Sequence, residues 1–172
     1  ISAMLPGGLR ESNIPIFDEA DIPDAVEHPL APQQQRAVEI ISHKQSGMFY
    51  LYGVTGSGKT EVFLRIAKQT LEEGKSVIYL VPEISLTHQV VDAVQARFGD
   101  QVALLHSGLT PSQRYIEWMR VKRGEARFVI GARSAVFAPV KDLGLVLIDE
   151  EHEGSYKSGA TPRYHARQVA MY

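Results

Sequence analysis

Gly53-Val54-Thr55-Gly56-Ser57-Gly58-Lys59-Thr60 fits the pattern G-x-x-x-x-G-K-[ST]. The pattern has a mechanical meaning. Glycines let successive backbone N–H groups wrap a phosphate, and a helix starting directly behind the loop adds positive potential. Lys59 then reaches the β- and γ-phosphates of a nucleotide, and the Thr60 hydroxyl ligates Mg²⁺. A glycine-rich turn can match by chance, so its setting decides. Upstream, Met48–Tyr52 is a five-residue apolar run, read as a buried strand. Downstream, residues 59–73 place Val62, Phe63, Ile66, Ala67, Thr70 and Leu71 on one helical face before Gly74. Strand, loop and helix in this order are what a phosphate loop requires.

The rest of the chain continues the alternation. Residues 32–46 read as a helix with Pro32 in its first turn and Ala37, Ile40, Ile41 and Lys44 at helical spacing. Ser76–Val81 is a buried strand, and residues 86–98 are a helix with Val90, Val91, Val94 and Phe98 inward. Val102–Leu105 is strand-like. Thr110-Pro111-Ser112-Gln113 is a capping box that starts a helix ending near Gly124. Phe128–Ile130 and Leu145–Ile148 are further buried strands, and Ala166, Val169 and Ala170 mark a last helix. Strands without polar alternation, separated by helices, imply an α/β fold: a mostly parallel sheet flanked by helices on both faces. Its ligands bind beyond the carboxyl ends of the strands. With the phosphate loop, this is the P-loop NTPase architecture.

The 172 residues contain no cysteine, which excludes disulfides and Cys-ligated zinc or iron–sulfur centres within the chain. An apolar fraction of 44% and a charged fraction of 22% exclude disorder throughout. No apolar run approaches the roughly 20 residues of a membrane span, and no signal peptide opens the chain. The net charge of −2 conceals an asymmetry. Residues 1–30 carry one basic and six acidic residues, whereas 112–133 carries six basic residues (Arg114, Arg120, Lys122, Arg123, Arg127, Arg133) and two acidic ones. A polyanion is therefore expected to bind locally rather than over the whole surface. Residues 1–29, with Pro6, Pro15, Pro23 and Pro29 and no sustained period, read as a linker or arm. The start at Ile1 and the stop at Tyr172 inside a helical pattern lead us to expect a piece of a longer protein, with residues 30–172 forming one lobe truncated at its C-terminal end.

Leu145-Val146-Leu147-Ile148-Asp149-Glu150 is an apolar strand ending in two carboxylates. Beside a phosphate loop, Asp149 is placed to hold the metal and Glu150 to polarise the attacking water. Asp149-Glu150-Glu151-His152 resembles the DExH box of superfamily 2 helicases. Leu30-Ala31-Pro32-Gln33-Gln34 resembles their adenine-reading Q motif, with Gln34 as the glutamine. Val81-Pro82-Glu83-Ile84-Ser85-Leu86-Thr87 resembles motif Ia, and Gly131-Ala132-Arg133-Ser134-Ala135 the strand-contacting motif before the DExH box. GVTGSGKTEV, VPEISLT, LHSGL, IGARSAVF, IDEEHEGSYK and PRYHAR, in this order, resemble the PriA-type replication-restart helicases over about residues 30–172. Ala132 departs from the commoner helicase form, which carries Thr there.

The resemblance implies the first RecA-like motor lobe of a 3′→5′ DNA helicase, with ATP and Mg²⁺ as cofactors. Carried over residue by residue, Gln34, Gly53, Thr55, Gly56, Ser57, Gly58, Lys59 and Thr60 bind the nucleotide. Thr60 and Asp149 hold Mg²⁺, and Lys59, Asp149 and Glu150 act in hydrolysis. Pro82, Glu83, Arg133, Ser134, His152, Tyr156, Lys157, Arg163 and Tyr164 contact DNA or couple it to hydrolysis. Ser155-Tyr156-Lys157 through Arg163-Tyr164-His165 resembles the aromatic-rich loop of such helicases, where rings accept unpaired bases and cations hold phosphates. Two tyrosines packed on the domain would give the same sequence. The resemblance further implies forked or single-stranded DNA, primosome proteins and single-stranded-DNA-binding protein as partners. It implies a bacterial cytoplasmic, nucleoid-associated location without membrane contact. Zinc is implied only downstream of this chain, together with a second motor lobe carrying an arginine finger. A UvrB-like repair translocase shares the phosphate loop but not SYK…RYHAR. A kinase would need an acceptor pocket and lid, and a non-translocating nucleotide switch also remains open. A nucleic-acid-binding module with a decayed ATP site is opposed by intact Lys59, Thr60, Asp149 and Glu150. Trp118 is expected in the core, and His28, His43 and His88 show no metal spacing.

Overall fold

The computed structural model describes residues 29–43, 46–54 and 56–172. The arm expected over 1–29 therefore lies outside the described residues except for its last residue, and so do Lys44 and Thr55. The elements are α1 (Pro32–Ser42), α2 (Lys59–Glu72), β1 (Ser76–Leu80), α3 (His88–Phe98), β2 (Val102–Leu105), α4 (Pro111–Arg123), β3 (Phe128–Gly131), β4 (Leu143–Ile148) and α5 (Ala166–Ala170). Short 3₁₀ turns occupy Gly99–Gln101, Arg133–Phe137 and Gly154–Tyr156.

The four strands form one parallel sheet in the order β2-β3-β1-β4. β1 lies between β3 and β4, and all five of its residues are buried. That explains the missing polar alternation: both faces are covered. Val77 and Tyr79 point to the side packed by α2 and α3, with Leu64, Ala67, Leu71, Val91, Val94 and Phe98. Ile78 and Leu80 point to the other side, packed by Val121 of α4, Ala135, Tyr156 and Ala166 of α5. α1 closes the end nearest the phosphate loop, placing Val38 against Val62 and Ile66. Helix termini follow their local chemistry. Thr110 Oγ accepts from the Gln113 N–H at 3.3 Å, the Gln113 carboxamide returns to the Thr110 N–H at 3.0 Å, and Gly124 ends α4 at φ 83°.

Two sequence expectations are corrected. Met48–Tyr52 is not a strand of the sheet. Met48, Tyr50 and Tyr52 are 60%, 59% and 95% exposed, and only the intervening Phe49 and Leu51 turn partly inward. Leu51 packs beside Val38, Val62 and Ile66, so the run covers one face and nothing covers the other. Trp118 is not core: α4 buries Glu117 and Val121 instead. The reason is an ionic pair on the inner face. Arg120 binds both Glu117 carboxylate oxygens, at 2.9 and 3.1 Å, and donates to the carbonyls of Val102 and Asp100.

Candidate functional site: a phosphate loop facing two carboxylates

The phosphate loop turns at once into α2. Gly58 is the N-cap residue at φ 76°, a left-handed conformation that glycine adopts without strain. It also leaves room: a Cβ there would lie 2.4 Å from Gln34 Nε2. Gln34 braces the loop from α1, because its Nε2 donates to the Ser57 carbonyl at 2.9 Å while its Oε1 accepts from the Ala31 N–H at 2.7 Å. The glutamine expected to read adenine is thus the strut that holds the loop to α1. Lys59 Nζ donates to the carbonyls of Gly53 (2.6 Å) and Val54 (3.0 Å). The ammonium thereby spans the inside of the loop, where phosphate oxygens can replace the carbonyls as partners.

Across the carboxyl edge of the sheet stand Asp149 and Glu150, immediately after β4. Asp149 is held from several sides. Its Oδ2 accepts from the Tyr79 hydroxyl at 3.0 Å and its Oδ1 from the Glu150 N–H at 3.0 Å. Its backbone carbonyl accepts from the Tyr156 hydroxyl at 2.7 Å, and its N–H donates to the Leu80 carbonyl. Glu150 sits at φ 45°, a left-handed conformation that costs a non-glycine residue about 1–3 kcal/mol and therefore clusters at functional sites. Its Oε2 accepts from Ser85 Oγ at 3.2 Å, which ties it to the segment after β1. Burial first, and then the Asp149 charge, push the Tyr79 phenol upward, so it stays protonated. Oxygen atoms are the ligands Mg²⁺ prefers, and the Thr60 hydroxyl in the first turn of α2 and the Asp149 carboxylate after β4 supply one of each kind. The residues present fit that ion.

The segment after the DExH run is anchored rather than loose. The expectation that a base stacks on Tyr156 is corrected, because its ring is 1% exposed and its hydroxyl donates to Asp149 O and Leu80 O. Burial, then Asp149 and Glu150, push its phenol up as well. Pro82 is corrected too as a surface contact. It is buried and shapes a turn, its carbonyl accepting from the Ser85 and Leu86 N–H groups. Arg133 donates to the carbonyls of Ser155 (3.0 Å) and Lys157 (2.7 Å), the residues flanking Tyr156. Tyr164 is half-buried, packed edge-on against Phe137 at 5.0 Å, with the Arg133 guanidinium 5.7 Å from its ring centre. A cleft of about 190 Å³ is lined by Glu83, Ser107, Arg133, Ser134 and Ser155. A second, of about 320 Å³, is lined by Lys157, Arg163, Tyr164, His165 and Gln168. Ser107 Oγ donates to Glu83. His152 is exposed, whereas its neighbour Glu151 pairs with Arg167 of α5.

The family described as DEAD/DEAH box helicase matches residues 31–170. The chain belongs to this family. Its relatives bear out the resemblance to the PriA type. The chain is 53% identical over 174 residues to the replication restart protein PriA of Treponema pallidum, covering 100% of this chain and 26% of that protein. It is 51% identical over 147 residues to that of Bacillus subtilis, covering 83% and 18%. To that of Synechocystis it is 45% identical over 158 residues, covering 91% and 19%. The chain thus spans about a quarter or less of the length of these relatives. Within this DEAD/DEAH lobe, the sequence reading missed Tyr79 and Phe137. The sequence places Tyr79 only within the buried strand Ser76–Val81. The available signal was a phenol in the otherwise aliphatic run Val77-Ile78-Tyr79-Leu80, whose buried hydroxyl needs partners. Phe137 ends the IGARSAVF segment and is 50% exposed. No cluster of three metal-ligating side chains occurs among the described residues, nor any helix long and apolar enough to cross a membrane.

Proposed function

We propose that this chain is the ATP-binding motor lobe of a 3′→5′ DNA helicase that acts in replication-fork restart. Gly53, Gly56, Ser57, Gly58, Lys59 and Thr60 cradle the phosphates, joined by Thr55 outside the described residues. Thr60 and Asp149 hold Mg²⁺, which when bound neutralises charge on the phosphate oxygens. Glu150 positions the attacking water, its carboxylate steadied by Ser85. Lys59 exchanges the loop carbonyls for the β- and γ-phosphates. Gln34 transmits adenine contact to the loop through Ser57. Single-stranded DNA lies along the two clefts, with phosphates on Arg133, Ser134, Lys157 and Arg163 and a base on the Tyr164–Phe137 pair. Bacterial relatives named as replication restart proteins support the cellular role, a cytoplasmic location, and primosome proteins and single-stranded-DNA-binding protein as partners.

One observation carries the reading: the Lys59 ammonium lies inside a phosphate loop that opens α2, while the Asp149 carboxylate after β4 is held by the Tyr79 hydroxyl. The Lys59→Ala substitution removes the loop's charged donor. A hydrogen bond to a charged group contributes about 1.5–3 kcal/mol, so affinity for a non-hydrolysable ATP analogue with Mg²⁺ should fall roughly tenfold to hundredfold by titration calorimetry. Equal affinity in wild type and variant would remove the nucleotide from this loop.

A further inference from the structure

Residues 81–87 join β1 to α3 and are bonded along their length. The Val81 N–H donates to the Gly131 carbonyl at 3.0 Å. The Pro82 carbonyl accepts from the Ser85 and Leu86 N–H groups at 2.9 and 3.0 Å, and the Ser85 carbonyl accepts from the Thr87 N–H at 2.8 Å. Leu86 packs on the core beneath α2 and α3. A turn closed in this way shifts as one piece rather than residue by residue. Two of its side chains reach different places. Glu83 lines the cleft with Arg133, Ser134 and Ser155, and its carboxylate accepts from Ser107 Oγ. Ser85 Oγ meets Glu150 Oε2 at 3.2 Å.

The backbone of Glu150 is held on both sides. Its N–H donates to Asp149 Oδ1 at 3.0 Å and its carbonyl accepts from the Glu153 N–H at 2.8 Å. Its side chain is exposed, so rotamer freedom has to be limited by a partner. An ionised carboxylate only accepts, so the Ser85 hydroxyl is the donor. At 3.2 Å this bond is longer than the usual O–H···O range of about 2.5–3.0 Å, which leaves it room to tighten. Hydrogen bonds around a reacting group often tighten only when the reaction complex forms. The cleft offers the means. A phosphate on Arg133 brings negative charge beside the Glu83 carboxylate, and like charges repel. A displaced Glu83 carries the bonded turn, and Ser85 with it.

We propose that Ser85 is a positioning residue for Glu150, and that the turn at 82–87 carries the occupancy of the Glu83–Arg133 cleft to that carboxylate. The proposal rests on the reading of Glu150 as the group that positions water and of the cleft as a path for DNA phosphates. In Ser85→Ala the turn keeps its backbone bonds and the carboxylate loses its donor. In Ser85→Thr the hydroxyl remains.

The test is the steady-state ATPase of the full-length protein, read as kcat and as KM for ATP, without DNA and at saturating single-stranded DNA. A reacting group misplaced by about 1 Å can lower the rate by roughly 100-fold. Ser85→Ala should therefore lower the DNA-stimulated kcat by about tenfold or more and the basal kcat by less, with KM within about twofold of wild type. Ser85→Thr should retain most of the stimulated rate. In a Glu150→Gln background, adding Ser85→Ala should lower kcat no further, because both changes act through one carboxylate. A wild-type kcat in Ser85→Ala overturns the proposal, as does an equal loss with and without DNA. A Ser85→Thr variant as slow as Ser85→Ala, or a further tenfold loss in the double variant, assigns Ser85 to packing and overturns it too. A Glu150→Gln variant as fast as wild type overturns the reading of Glu150 itself, and the proposal with it.

Discussion

Tyr156 has exchanged a surface role for a structural one. Its hydroxyl serves the Asp149 carbonyl, which has no other hydrogen bond among those the structure shows, and the Leu80 carbonyl, which also accepts from the Asp149 N–H. In Tyr156→Phe the ring still fills its site, but a buried carbonyl beside the DExH run loses its donor. An unsatisfied buried acceptor costs about 1–3 kcal/mol, and that loss is expected in urea unfolding without a change in slope. A variant as stable as wild type would mean that the hydroxyl is replaced by water. His106 provides a pH-dependent case. Its Nδ1 accepts from the Gly108 N–H at 3.1 Å, which requires the neutral ring. Burial holds its pKa below 6.5; Glu83 opposes this and Arg114 assists. The unfolded chain thus takes up the proton first, and stability attributable to His106 is present above pH about 6.5 and falls as pH drops through that value. The melting temperature of wild type should therefore fall more between pH 7.5 and 5.5 than that of His106→Gln. Parallel curves would assign the loss to other groups.

Between elements, close approach governs. Gly131 ends β3 where the β2 backbone crosses: a Cβ would stand 2.0 Å from the Leu105 carbonyl oxygen and 2.8 Å from Ala135 Cβ. Backbone cannot yield cheaply, so Gly131→Ala should destabilise by about 1–3 kcal/mol or more and shift the adjoining Arg133–Phe137 turn. Thermal unfolding within 1 °C of wild type would contradict the close packing. The elements most legible in the sequence were those with an internal signal. The Thr110–Gln113 box and Gly124 bracket α4, and the apolar runs at 76–81, 102–105 and 128–130 each became a strand buried on both faces. Met48–Tyr52 carried the same composition, but a run of apolar residues does not say whether one face or two will be covered. α4 misled in the opposite direction. The Glu117–Arg120 pair claimed the inner face, and nothing in the local pattern announces that a carboxylate will be buried while Trp118 stays out. At the candidate site, the loop and the carboxylates were legible because each is a short contiguous run, one opening α2 and the other ending β4. Tyr79, Ser85 and Phe137 were not, because they act through contacts between segments distant in sequence.

At the scale of the whole lobe, Arg133, Tyr156 and Asp149 form a line from the cleft beside Arg133 to the proposed nucleotide site. Arg133 holds the carbonyls of Ser155 and Lys157, Tyr156 between them reaches the Asp149 carbonyl, and Tyr79 holds the Asp149 carboxylate. A phosphate that draws Arg133 away from those carbonyls would loosen the anchor of Tyr156. Arg133→Ala should therefore reduce the ratio of DNA-stimulated to basal hydrolysis while leaving ATP affinity within about twofold, a combination that a folding defect would not produce. The central claim is that one Mg²⁺–ATP site hydrolyses nucleotide in response to DNA bound across this line, with Glu150 orienting the water. It is tested most directly by the steady-state ATPase rate of the full-length protein against single-stranded DNA concentration, for wild type and Glu150→Gln. General-base positioning contributes about 10²–10⁴-fold. The expected result is a wild-type rate that rises with DNA and a Glu150→Gln rate at least about 100-fold lower at saturating DNA, with nucleotide affinity retained. A wild-type rate indifferent to DNA, or a Glu150→Gln variant that turns over like wild type, would contradict it.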